Sequence, residues 1–129
     1  GAVGNGGTML KPHIIDHATT PSGEVYMKLK AQTLLEITNS AAAGQLEKMM
    51  IECTKSGTGT AAAISGYTVA SKTGTVQVDG QKNNALCVAY IVEDDMPYAI
   101  AVIVEEGGSG GGTAAPIAGE MLSAAVSAS

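Results

Sequence analysis

Three strand candidates, Tyr67 to Val78, Ala85 to Val92 and Tyr98 to Val104, follow one another with only short polar connections between them. This run constrains the fold more than any other feature, because connections that short make antiparallel hairpins the natural topology. Asp79-Gly80 supplies turn chemistry in the first connection and Asp94-Asp95-Met96-Pro97 in the second. The second and third segments are apolar at nearly every position, so both faces of those strands are expected to be covered.

Helices are expected on either side. Thr38-Asn39-Ser40 is a cluster of capping residues, and Ala43, Leu46, Met49, Met50 and Cys53 follow it at three-and-four spacing. The pattern predicts an amphipathic helix ending near Lys55, with Met49 and Met50 in the core. Left-handed glycine within Ser56-Gly57-Thr58-Gly59-Thr60 is expected to close it. A C-terminal helix is expected after the flexible connection Gly107 to Gly112, with Thr113 as its cap and Pro116 in its first turn, running through Ile117, Met121, Leu122 and Val126. The fold class is therefore α+β: an antiparallel sheet of at least three strands, an amphipathic helix before it and a C-terminal helix packed on it. Upstream, Gly1 to Gly23 reads as loop with at most a short extended piece at His13 to Ile15. Glu24 to Ile37 reads as a short strand pair or a connecting turn.

Composition narrows the function classes. A chain of 129 residues makes one domain with a single core. Phe and Trp are absent, so that core is built from Val, Ile, Leu, Met and Ala. The net charge of -5 offers no basic face to a phosphate backbone, which excludes nucleic acid as a partner. The longest apolar run is strand-sized and no membrane span is expected. Gly1-Ala2-Val3-Gly4-Asn5 has no signal-peptide pattern, which fits either a cytoplasmic protein or an excised piece of a longer one. Cys53 and Cys87 are too few for a disulfide framework and have no metal-ligand spacing to each other or to His13 and His17. They are expected to be small buried hydrophobes, with a Cys53 to Cys87 bridge as the alternative. The glycine run lacks the Gly-Lys-Ser ending of a phosphate loop, and no metal or organic cofactor is implied.

The chemistry-bearing motif is Ala70-Ser71-Lys72-Thr73-Gly74-Thr75 on the first strand segment. A Lys-Thr-Gly triplet alone is a weak signal, but its surroundings are not neutral. Asn5-Gly6-Gly7-Thr8-Met9 and Lys11-Pro12-His13-Ile14-Ile15 stand upstream, Ser56-Gly57-Thr58-Gly59-Thr60 ends the first helix, Gly66-Tyr67 precedes the strand and Thr113-Ala114-Ala115-Pro116 opens the last helix. In this order, across nearly the whole chain, these elements resemble the C-terminal part of a penicillin-binding protein transpeptidase domain. That family is similar to serine β-lactamases and works by acyl transfer from D-alanyl-D-alanine peptides to a serine whose proton is removed with help from a lysine.

The resemblance implies roles for four residues. Lys72 and Thr75 are the catalytic candidates: Lys72 as a fixed cation for the proton network, Thr75 as a backbone N–H donor of an oxyanion hole. Thr73, Gly74 and Thr75 are the substrate-binding candidates, the two hydroxyls for a terminal carboxylate and the bare glycine for close approach of the reacting amide. The family also requires a Ser-x-x-Lys bearing the nucleophile and a Ser-x-Asn, and neither occurs in the chain. Both precede the Asn-Gly-Gly segment in the family, so residues 1–129 are expected to be the C-terminal segment of a transpeptidase domain whose N-terminal half is missing. It is then an incomplete part of the transpeptidase fold, inactive alone.

Peptidoglycan stem peptide and β-lactams are the implied partners of the parent, on the extracytoplasmic side of a bacterial membrane, held there by an anchor outside these residues. An exposed apolar face and an unpaired sheet edge are expected to favour pairing with a second copy. A β-lactam sensor or β-lactamase fragment is a second reading within the fold. A non-catalytic α+β module that binds peptides along Lys72 to Val78, or a purely structural domain, is the reading from a different class.

Overall fold

A computed structural model describes all residues from Gly1 to Ser129. Its internal contacts divide it into two compact units, Gly1–Gly44 and Gln45–Ser129. The first holds four short strands, β1 (Thr8–Leu10), β2 (His17–Thr19), β3 (Val25–Lys28) and β4 (Thr33–Glu36). They form a nested ribbon, because β2 pairs with β3 and β1 with β4, both antiparallel. The region upstream of Gly23 therefore carries two strands where loop was expected. His13 to Ile15 forms no strand and lies in the break between them. Each ladder slips register once, at Met9/Leu10 and at Ala18/Thr19, as strands this short and Gly/Pro-punctuated do.

Helix α1 spans Ser40–Ser56, one residue beyond the expected end. Asn39 caps it, its Oδ1 accepting the Ala42 N–H at 2.9 Å. The inward face differs from the apolar stripe of the sequence. Ala43 and Thr54 are buried and Glu47 and Met50 half-buried, whereas Leu46 and Met49 are exposed, Met49 by 68%. The helix is rotated because two polar residues on that face have fixed partners. Glu47 accepts from the Tyr90 hydroxyl at 3.0 Å, and Thr54 shares a hydrogen bond of 2.7 Å with buried Ser71. Paired polar groups can be buried at little cost, so they compete with apolar side chains for the inner face.

The sheet of the second unit runs β5 (Val69–Val76), β6 (Asn84–Ile91), β7 (Ala99–Val104), in that spatial order and wholly antiparallel. Helix α2 (Ala115–Ser127) lies across one face. Ala114, Ala115, Ala118 and Leu122 pack there on Val69, Ala85, Cys87, Ala89 and Ile91, with Ile100, Val102 and Val104 alongside. Alanine at the contact lets helix and sheet approach closely, so a core forms without Phe or Trp. The opposite face is not covered as the sequence led one to expect: Val76, Val88 and Ile103 are exposed there, Ile103 by 68%.

Two glycine-rich turns are held by close packing. Gly57 and Gly59 have no positive φ, so left-handed closure does not end α1. Both their N–H groups return to the Cys53 carbonyl, at 3.0 and 3.1 Å, and a Cβ on Gly59 would stand 2.1 Å from the Ser71 hydroxyl. Gly110–Ala114 forms a wide π turn leading into α2, capped by Ser109 and not by Thr113, whose hydroxyl donates to the Gly107 carbonyl at 2.6 Å. Gly110 lies on the sheet itself, with space for no Cβ.

Candidate active site

The register of β5 decides which of its groups are free. Val92 N–H donates to the Thr68 carbonyl at 2.9 Å, and that pair is in register with Val69↔Ile91 through Val76↔Asn84. Bonded and non-bonded pairs alternate in an antiparallel ladder. Ala70, Lys72, Gly74 and Val76 therefore turn their backbone amides to β6, while Ser71, Thr73 and Thr75 turn theirs to the outer edge, where β5 has no neighbouring strand. The Thr75 N–H and the Thr73 carbonyl thus line a free edge. The Lys72 ammonium reaches round and donates to that Thr73 carbonyl.

Side chains alternate with the backbone. Lys72 and Gly74 share the uncovered face, and Ser71, Thr73 and Thr75 share the other. Each of the three hydroxyls is tied to a different element. Ser71 meets Thr54 of α1 at 2.7 Å, Thr73 meets Thr58 at 2.5 Å, and Thr75 accepts from the Gly110 N–H at 3.3 Å. Proton counting orders the first and last of these. Thr54 donates to the Met50 carbonyl at 3.3 Å, so it accepts from Ser71. Thr75 accepts from Gly110, so its own O–H points elsewhere. Neither Thr54, within α1, nor Thr58, in the turn that follows it, is singled out by the apolar spacing of the helix or by the glycine pattern of the turn. The alternation of hydroxyls at 71, 73 and 75 on one strand face was the available signal.

The Cys87 thiol is not a nucleophile for this strand. Burial pushes the Cys87 thiol up, nearby Cys53 adds to this, and Lys72 only partly opposes it, so Cys87 stays a protonated core residue. Both cysteines are free, Cys87 buried and Cys53 half-buried. No group of three or more His, Cys, Asp or Glu is placed to hold a metal ion. A cavity of about 270 Å³ among Lys11, Pro12, His13, Leu29, Lys30 and Gln32 belongs to the first unit and contains none of the motif residues. No helix is long and apolar enough to cross a membrane.

The family described as penicillin binding protein transpeptidase domain matches residues 1–123. The chain belongs to that family. Solved structures agree. The D,D-transpeptidase domain of a peptidoglycan glycosyltransferase from Eggerthella lenta is similar at 29% identity and a TM-score of 0.81, over 98% of this chain and 30% of that one. Penicillin-binding protein A of Mycobacterium tuberculosis is similar at 26% identity and a TM-score of 0.81, over 97% and 32%. Its ceftriaxone acyl-enzyme complex is similar at 26% identity and a TM-score of 0.78, over 96% and 29%. No curated protein matches the chain. The chain thus spans about a third of the length of these transpeptidase structures and carries part of their α+β fold.

Proposed function

We propose that this chain is the substrate-side part of a D,D-transpeptidase that cross-links peptidoglycan by serine acyl transfer and is a target of β-lactams. One observation carries the reading: the Thr75 N–H stands on an unpaired strand edge, next to side-chain-free Gly74, with the Thr73 and Thr75 hydroxyls together on one face. In this reading a D-alanyl-D-alanine stem peptide lies along the edge as an added strand, an arrangement that gains affinity from main-chain hydrogen bonds. The Thr75 N–H points at the carbonyl oxygen, an interaction worth about 3 kcal/mol when charge develops there. Thr73 and Thr75 hold the terminal carboxylate, and Lys72 supplies a positive charge at the same edge.

The acyl acceptor is not among residues 1–129, which contain no Ser-x-x-Lys and no Ser-x-Asn. We therefore assign the nucleophile to a preceding half-domain and expect the isolated chain to be inactive. That half-domain, with a membrane anchor and an extracytoplasmic position, completes the parent. In its absence the uncovered face around Val76, Val88 and Ile103 favours pairing with a second copy. The deciding experiment is incubation of the purified chain with a fluorescent penicillin, followed by intact mass. No adduct is expected, and a stoichiometric covalent adduct would overturn the assignment of the nucleophile to another segment.

A further inference from the structure

We propose that Thr58 is a positioning residue that sets the direction of the Thr73 hydroxyl, making Thr73 a hydrogen-bond donor to a carboxylate at the β5 edge. The proposal rests on the functional reading above and adds to it a residue outside the Lys-Thr-Gly-Thr motif. A threonine hydroxyl has one proton and two lone pairs. If Thr73 gave its proton to Thr58, it would present only lone pairs to an anion and repel it. If Thr58 donates, the Thr73 proton is free to point outward.

The surroundings of Thr58 favour the second arrangement. Its Oγ1 lies 2.5 Å from Thr73 Oγ1 and 3.8 Å from Cys53 Sγ, and it has no hydrogen bond to any carbonyl that would take its proton away. The Cys53 thiol can donate to Thr58, Thr58 to Thr73, and Thr73 to the ligand, each bond polarising the next. Thr75 reaches the same state by another route, since it accepts from the Gly110 N–H and keeps its proton. Both motif hydroxyls then keep a proton to donate.

The position of Thr58 is fixed by its neighbours. A Cβ on Gly57 would stand 3.0 Å from the Cys53 backbone, one on Gly59 2.1 Å from Ser71 Oγ, and one on Gly111 2.7 Å from the Thr58 carbonyl. The turn is clamped against α1, β5 and the glycine turn before α2, so it cannot swing away when the edge is occupied.

The test uses the isotope-labelled chain, titrated by NMR with acetyl-D-alanyl-D-alanine and with its C-terminal carboxamide. Wild type is expected to prefer the carboxylate. Thr58→Val keeps the shape and removes the donor, and should cut that preference by about tenfold while leaving carboxamide binding in place. Thr58→Ser should restore it. A Thr58→Val chain with the wild-type preference overturns this inference alone. A wild-type chain without any preference for the carboxylate overturns the functional reading and this inference with it. Should Thr58→Val not fold, the wild-type hydroxyl protons decide: a slowly exchanging Thr58 proton with a nuclear Overhauser effect to Thr73 supports the proposal, and a protected Thr73 proton directed at Thr58 refutes it.

Discussion

Gly110→Ala tests whether the glycine turn before α2 is locked to the sheet. An alanine Cβ would stand 2.4 Å from the Gly74 carbonyl oxygen, 2.4 Å from the Leu86 carbonyl oxygen and 2.9 Å from the Gly74 nitrogen. All three are backbone atoms. Gly74 and Leu86 are cross-strand partners on β5 and β6, so neither can retreat without opening the ladder. Relief must come from lifting the turn by about 1 Å to reach ordinary contact, which also pulls the Gly110 N–H off Thr75.

Overpacking of this kind costs about 1–3 kcal/mol, and the rigidity of both obstacles puts Gly110→Ala near 3. An unfolding entropy of about 2.1 cal/mol/K per residue gives about 0.27 kcal/mol/K for 129 residues, hence a fall in Tm of about 11 °C. The control is Gly44→Ala, whose Cβ would meet nothing within 4 Å on α1. There alanine is the better helix former, and Tm should rise by about 2–4 °C. Thermal melts followed by circular dichroism make the measurement. A Gly110→Ala melt within about 2 °C of wild type, or a Gly44→Ala loss of similar size, would refute the reading that glycine serves close approach here.

Other substitutions separate structural from ligand-facing groups. Ser71→Ala removes a buried partner of Thr54 and should cost about 1–2 kcal/mol in urea unfolding. Lys72→Gln removes an exposed side chain and should leave stability within about 0.5 kcal/mol while weakening carboxylate-peptide binding in the NMR titration. Burial pushes the Glu93 carboxyl up, but hydrogen bonds from the Thr68 and Glu93 backbone N–H groups and the Thr68 side chain outweigh it and hold the group below the usual range. Its pKa is lower folded than unfolded, so its stabilisation is present above the unfolded value and is lost as pH falls through the folded one. Glu93→Gln should therefore cost about 0.5 kcal/mol at pH 7, after solvent screening at this part-buried site, with the difference from wild type vanishing in acid. Equal stabilities at pH 7 would remove that contribution.

The sheet, both long helices and the Lys72-Thr73-Gly74-Thr75 strand were legible in the sequence because each rests on a local pattern: alternation, caps or a contiguous motif. The inward face of α1 was not, since apolar periodicity favoured Leu46 and Met49 while Glu47 and Thr54 took that face through partners at Tyr90 and Ser71, 43 and 17 residues distant. The glycines at 57, 59 and 110 read as breakers and flexible links because a sequence shows what glycine permits locally, not which carbonyl or hydroxyl presses on it. Thr58 was hidden for the same reason, its partner Thr73 lying 15 residues along the chain. The free amide of Thr75 needed the register, which one extra residue in a turn would have inverted.

The nested ribbon of the first unit has a kinetic consequence. Thr8 and Glu36, bonded at 2.9 Å, are 28 residues apart, whereas β2 and β3 are joined by a single tight turn from Thr20 to Glu24. Closing the outer pair first would add about 1.7 kcal/mol of loop entropy over closing the inner turn. The inner hairpin should therefore form first and draw β1 and β4 together behind it, so that slowing the turn at Thr20 to Glu24 delays both ladders.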